Sequence, residues 1–224
     1  MTGIFETALG DDFARLHPMM RRRFGVGIDA GYACVGTGVM TRIRRGPWWT
    51  VPFLRVGRIR NILVPIQGSD VPFTVENYPY VDPLGRETIT FVRTYGAGTR
   101  PHRFDATMIY SERSARVIDY LGTHQHLAVD LELSVGDDGS LLLRSDAQRF
   151  YEGPIAFRFP MLFSGRAELR ESYDESAGAY RIRLEVTNDR FGFLFGYEGS
   201  FTCVFPEARD APARLRPRRH ERRE

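Results

Sequence analysis

From Val71 to Phe205 the chain is a succession of short runs in which apolar and polar residues alternate, each closed by a turn. An alternation of period two puts one set of side chains on each face of a β-strand. Val71–Tyr80 and Arg86–Tyr95 flank Asp82-Pro83-Leu84-Gly85, and Phe104–Tyr110 and Arg116–Leu121 flank a polar link. His126–Val135 and Ser140–Phe150 flank Gly136-Asp137-Asp138-Gly139. Arg166–Tyr173 and Ala179–Thr187 flank Asp174-Glu175-Ser176-Ala177-Gly178, and Tyr197–Phe205 comes last. Turns rich in Gly, Asp and Pro between alternating runs predict hairpins. With Tyr32–Ile43 ahead of them, this predicts about ten antiparallel strands in a meander. So many strands cannot stay flat and must curl or close. The expected fold is α+β and mainly antiparallel: a strongly curved sheet or open barrel with an N-terminal helical arm and one inserted helix.

The helical arm is read from Ile4, Phe5, Ala8 and Leu9, with Gly10 as a stop. A short second turn follows Asp11 and Asp12, and a third opens at Pro18 and runs to Phe24. Gly25, Gly27 and Gly31 resemble a dinucleotide fingerprint, but they follow a helix and precede a strand, the reverse of the required order. Gly36 and Gly38 inside a strand mark a bulge or a close backbone approach.

The inserted helix is expected between Thr50, a candidate N-cap, and Asn61. The stretch from Arg42 to Arg60 holds both tryptophans and six arginines, and no acid occurs between Asp29 and Asp70. One reading places Trp48, Trp49 and Phe53 at a lipid or ligand boundary, with Arg42, Arg44, Arg45, Arg55 and Arg58 meeting anionic groups. The plainer reading is a helix covering one face of the sheet. Two aromatic segments, 150–163 and 191–197, either line a cavity or plug the barrel. Tyr151, Phe157, Phe159, Phe163 and Phe193 are the ligand-facing candidates there, with Tyr78 from the Val71–Tyr80 strand.

In the hairpin His126–Phe150, a loop closing at Gly139 pairs Val135 with Leu141, Leu133 with Leu143 and Glu132 with Arg144. Continued, that register sets Asp130 against Asp146 and Ala128 against Gln148. It gathers His124, His126, Asp130, Glu132, Arg144 and Asp146 on one polar face. Opposed aspartates destabilise a strand pair, so this face is either solvated or the polar end of a site. No metal is assigned, because no later histidine completes a ligand set. Gly-x-Ser-x-Gly, Cys-x-x-Cys and His-Glu-x-x-His are absent. With no lysine in the chain, Schiff-base and phosphate-loop chemistry are excluded. No catalytic residue and no cofactor are assigned.

Residues 207–224 hold seven arginines and four acids, which accounts for the whole formal charge of +3. They read as a disordered tail behind a single domain of residues 1–206. The domain itself is neutral, so nucleic acid is not the expected partner. Cys34 and Cys203 are expected as free thiols. The N-terminal residues do not read as a signal peptide, and no apolar run approaches the ~20 residues of a membrane span. A cytoplasmic location with peripheral membrane contact is the expectation.

Several stretches resemble a known family. They are Asn61-Ile62-Leu63, Val71-Pro72-Phe73-Thr74-Val75-Glu76-Asn77-Tyr78, Gly85-Arg86-Glu87-Thr88, Gly122-Thr123-His124-Gln125-His126-Leu127, Gln148-Arg149-Phe150-Tyr151-Glu152-Gly153-Pro154 and Phe195-Gly196-Tyr197-Glu198-Gly199-Ser200-Phe201. The chain is similar to the bacterial domain-of-unknown-function family 4166 over nearly all but its tail. The resemblance carries no assigned activity. Similar domains occur fused behind saccharopine-dehydrogenase-like NADP-binding domains, which implies an NADP-dependent oxidoreductase as a partner by association only. The expected function is non-catalytic binding of a hydrophobic or amphipathic small molecule, at or near an anionic membrane surface. The alternatives are an enzyme built on the face around His124 and His126, and an interaction module acting through the basic tail.

Overall fold

The computed structural model describes residues 3–46, 66–96, 101–158 and 165–224. The expected inserted helix lies outside these residues. The arm consists of Ile4–Leu9 (α1), a 3-10 turn at Gly10–Arg15, and Pro18–Phe24 (α2). Gly10, at φ 55°, ends α1. Pro18 opens α2, and the His17 Nδ1 accepts a hydrogen bond from the Met19 amide at 3.2 Å.

Twelve strands follow. They are Cys34–Arg45 (β1), Gly68–Asn77 (β2), Pro79–Val81 (β3), Glu87–Tyr95 (β4), His102–Ser111 (β5), Arg116–Leu121 (β6), Leu127–Val135 (β7), Leu141–Glu152 (β8), Ile155–Arg158 (β9), Arg166–Asp174 (β10), Ala179–Asn188 (β11) and Gly192–Val204 (β12). Every pairing is antiparallel. Ten strands close into a ring in the order β1-β2-β4-β5-β6-β7-β8-β10-β11-β12, with β12 back on β1. β3 adds to β4, and β9 adds to the outer half of β8. Closure removes the sheet edges that an open meander would expose.

The seam lies between β8 and β10, where only Leu141–Arg144 pair with Glu168–Glu171. Beyond it β8 turns away to β9, because a bulge interrupts its ladder. The predicted pairs Val135–Leu141, Leu133–Leu143 and Glu132–Arg144 are present, but Val129 then faces Gln148 and Ala128 faces Arg149. One extra residue on β8 shifts the rest of the strand. Asp130 and Asp146 therefore do not oppose each other. Asp130 forms a two-pronged pair with Arg149, and Asp146 binds Arg116 at 2.6 Å. The shift also converts a like-charge clash into two ion pairs.

The N-terminal arm closes one end of the barrel. The His17 amide donates to the Gly139 carbonyl in the β7–β8 turn at 3.0 Å, and the Tyr180 hydroxyl donates to the Met19 carbonyl at 3.0 Å. Ile4, Phe5, Leu16, Met20 and Phe24 join the main core with inward residues of the barrel strands. The arm thus plugs this end; of the aromatic segments, residues 159–163 lie outside the described residues. Gly38 on β1 lies so close to β12 that a Cβ there would collide with the Ser200 carbonyl. The glycines of β1 do mark a close approach, and the β1–β12 register shifts just after it.

Residues 207–224 lie along the outer wall rather than forming a mobile tail. Ala211 and Leu215 are buried there. The Tyr120 hydroxyl donates to the Arg223 carbonyl at 2.9 Å, Arg86 donates to the Glu221 carbonyl at 2.8 Å, and the Glu221 amide donates to Gln125 at 2.6 Å. Under them is a second apolar cluster of Ile109, Ile118, Tyr120, Ala128 and Tyr151 on the outward faces of β5–β8. The sequence suggested disorder because the tail has few apolar residues. It is held instead by backbone hydrogen bonds and arginine–ring contacts such as Arg223 over Tyr151 at 4.5 Å.

Candidate functional site

The end opposite the arm, called the mouth below, is formed among the described residues by the last residues of β1 and β4 and the first of β2, β5, β10 and β12; residues 47–65, 97–100 and 159–164, which adjoin these strands, lie outside the described residues. Inward positions on these strands are mostly apolar, with four polar exceptions. Arg45 pairs with Phe195 at the end of β1, Tyr197 pairs with Ile43, and Tyr95 and Arg93 end β4. Tyr95 and Tyr197 are buried, with ring centroids 5.8 Å apart. The two hydroxyls lie beside each other, but neither makes a well-formed hydrogen bond among the described residues, and the Arg45 Nε is buried and unpartnered. The Tyr95 phenol is held well above its ordinary ionisation range by burial and by Tyr197 beside it. Buried polar atoms left without partners cost free energy, so each needs a reason to be there.

Deeper in the lumen, Asp119 on β6 shares the inward parity of Val117. Its Oδ1 is buried without a partner, and burial pushes its carboxyl up to about 7 while Arg93 pulls it the other way. Arg93 lies over Phe91 and Phe104, at 5.6 and 5.0 Å from the ring centres. Below these groups the barrel is nearly full. A cavity of about 20 Å³, lined by Phe5, Arg23, Phe24, Phe91, Arg93 and Glu171 among others, has room for about one water molecule. Any larger occupant is confined to the mouth.

The rim is aromatic and basic. Ile155, Phe157 and Phe191 are 56%, 45% and 40% exposed. The Arg44 guanidinium sits 4.8 Å over Phe193 and 2.8 Å from Glu185, and Arg190 lies 5.6 Å over Phe191. Arg42 and Arg166 are exposed at the same end. Outside the barrel, an open groove of about 480 Å³ crosses the seam, lined by Glu132, Arg144, Glu168, Arg170, Arg183 and Glu185. Its charges cancel in pairs, such as Arg144–Glu168 at 3.0 Å and Arg183–Glu185 at 3.1 Å.

Residues 16–201 match the family described as Domain of unknown function (DUF4166). The chain belongs to this family. The match runs from Leu16, in the arm, to Phe201 in the last strand; it covers α2 and the barrel strands and leaves out α1, the 3-10 turn and the docked tail. The chain is also 29% identical over 201 residues to "Uncharacterized protein YndH" of Bacillus subtilis, covering 90% of this chain and 97% of that protein.

Within the DUF4166 barrel the sequence-derived candidates separate. Arg45 faces the mouth interior, and Arg42, Arg44, Phe157 and Phe193 are on its rim. Trp48, Trp49, Phe53, Arg55, Arg58, Phe159 and Phe163 lie outside the described residues. Tyr151 does not line a ligand space: the bulge turns it outward, where its hydroxyl donates to the Glu224 carbonyl at 3.2 Å. Tyr78 is half-buried beside β4, its amide bound to the Thr90 hydroxyl at 2.9 Å. The polar face is not concave. His124 and His126 are stacked at 5.4 Å in the loop before β7, and His126 bonds the Tyr151 carbonyl at 3.0 Å and Glu152 at 2.9 Å. Asp130 and Asp146 are held in separate arginine pairs, and Glu132 and Arg144 line the outer groove. Among the described residues no three or more His, Cys, Asp or Glu converge to hold a metal ion. No helix among them is long and apolar enough to cross a membrane.

Arg93, Tyr95, Asp119 and Tyr197 were missed by sequence reasoning. A signal was present: each occupies the apolar phase of its strand, where a charged or phenolic group has no packing reason to be.

Proposed function

We propose that this barrel binds an amphipathic anion at its mouth without catalysis, the mouth being turned to an anionic membrane surface. The observation that carries the reading is the set of buried polar atoms of Tyr95, Tyr197 and Arg45 that face inward without well-formed hydrogen bonds. A ligand carboxylate or phosphate at the mouth would satisfy the guanidinium and both hydroxyls. Its apolar part would lie along Phe193, Phe195 and the exposed Phe157, because the lower barrel has no room for it. Binding sites commonly combine an apolar wall with a few convergent polar groups. The basic, aromatic rim suits an interface with anionic head groups.

The test is titration of the full chain with a dansylated fatty acid, read by energy transfer from tryptophan, beside native mass spectrometry of the protein as purified. Saturable one-to-one binding, weakened roughly tenfold or more by Arg45→Gln, is expected. Non-saturating binding, or binding unchanged in the variant, would remove the reading. A second reading rests on Asp119, whose carboxyl near 7 beside Arg93 has the character of a proton-transfer group. Turnover of the bound ligand that disappears in Asp119→Asn would favour an enzyme, with its centre in the lumen rather than around His124 and His126.

A further inference from the structure

At the arm end of the barrel, the first and last strands bring the two cysteines together. β1 and β12 pair with Gly36 opposite Cys203, so Cys34 lies two residues along the same inward face. The pairing makes Cys203 a diagonal neighbour of Cys34, close enough for each thiol to shift the other's ionisation. The Arg23 Nη1 lies 3.2 Å from the Cys34 sulfur. Arg23 is itself fixed: its guanidinium forms a buried ion pair with Glu171 and donates to Asn77 Oδ1 at 2.9 Å. Cys34 is fully buried, whereas Cys203 is partly exposed.

We propose that Cys34 and Cys203 form a peroxide-reactive dithiol that closes to an intramolecular disulfide, clasping the first and last strands of the barrel. Sequence alone places these residues far apart, and no catalytic or binding role considered above uses them. The thiolate is the reactive form of cysteine, and a neighbouring cation favours it. The Cys203 S–H bond holds the Cys34 thiol down, to about 7, with Arg23 acting in the same sense and burial opposing them. The neighbouring Cys34 and burial push the Cys203 thiol well up, so Cys34 is the thiolate of the pair, and Glu171, Tyr180 and Tyr32 are the other titratable groups facing them.

The chemistry balances with hydrogen peroxide as oxidant. The Cys203 proton passes to the Cys34 thiolate, and the partly exposed Cys203 sulfur, now a thiolate, attacks one peroxide oxygen; the O–O bond breaks, and the hydroxide released takes the proton from Cys34 and leaves as water. The Cys34 thiolate then attacks the sulfenic sulfur of Cys203. The S–S bond forms, the S–O bond breaks, and the second hydroxide leaves as water after taking up a proton. Two thiols are oxidised and one peroxide is reduced to two waters. A sulfenic acid beside a second thiol condenses to a disulfide in this way.

The test treats the reduced full chain with hydrogen peroxide, then denatures and alkylates it for intact and peptide mass analysis. Two alkylated cysteines are expected before treatment and none after, with the Cys34 and Cys203 peptides joined within one chain. Survival of both thiols would overturn the proposal. So would their loss to sulfinic or sulfonic acid without a bridge, or bridging only between chains. In Cys203→Ser the remaining buried thiol should outlast the wild-type pair by roughly tenfold, since burial shields it. Loss of Cys34 at the wild-type rate in that variant would show that Cys203 is not the point of entry, and would also overturn the proposal.

Discussion

Replacing Tyr95 and Tyr197 together by phenylalanine should stabilise the ligand-free protein. Both rings are buried, and their ring contacts (Phe73 with Tyr95, tilted, at 5.3 Å; Tyr95 with Tyr197, edge-to-face, at 5.8 Å) survive the change. Only the hydroxyls are lost, and neither makes a well-formed hydrogen bond among the described residues. A buried polar group left unsatisfied costs about 1–3 kcal/mol, so two such groups cost about 2–6 kcal/mol. The small voids left behind take back roughly 1 kcal/mol. The net gain is about 1–5 kcal/mol, and at ~2–4 °C per kcal/mol for a chain of this size Tm should rise by roughly 2–20 °C. The assay is thermal unfolding of wild type, the two single variants and the double variant. A fall in Tm would mean that the hydroxyls are already satisfied, and would refute the reasoning behind the mouth site. If Tm rises but dansylated fatty acid binds as before, the energetic argument stands and the tyrosines are not ligand groups. Loss of binding together with higher stability is the expected trade-off for a preorganised polar site.

Asp119 sets a pH dependence. Its folded-state carboxyl is raised to about 7, above the ordinary 3.8, so the folded form binds the extra proton between those values and stability falls as pH rises through that window. The loss is of order 4 kcal/mol; Asp119→Asn should flatten the curve of Tm against pH from 4 to 8, and an unchanged curve would remove the argument. Deleting residues 207–224 should lower Tm markedly, because hydrogen bonds from Arg86, Tyr120 and Tyr151 to the tail are lost at ~1 kcal/mol each and the outer cluster is uncovered. A truncated protein with wild-type melting would show that the tail contributes nothing. Phe157→Ser with Phe191→Ser should reduce flotation with anionic vesicles, and the wild-type association should weaken with salt. Equal flotation with neutral vesicles would detach the membrane from the proposed function.

What the sequence determined by itself was local. Period-two alternation and turn residues marked the strands, and the helical arm followed from Ile4, Phe5, Ala8 and Leu9 with its stop at Gly10. The hairpin register from Val135 to Glu132 was also legible, because a slip there would drive leucines out and arginine in. Those features depend on neighbours a few residues away, or on one apolar face. The tertiary structure decided the remainder. Closure of β8 on β10 joins segments with no local tie, and a bulge after Ser145 shifts the rest of β8. Whether Asp130 meets Asp146 or Arg149 turns on one inserted residue that alternation cannot register. The tail reads as disordered because it has little to bury, yet its backbone finds donors and acceptors on a wall that exists only once six strands have assembled. The inward polar groups are the same case. Their place on the apolar phase was legible in the strand pattern, but that they end up close together and without water was decided only when the barrel closed around them.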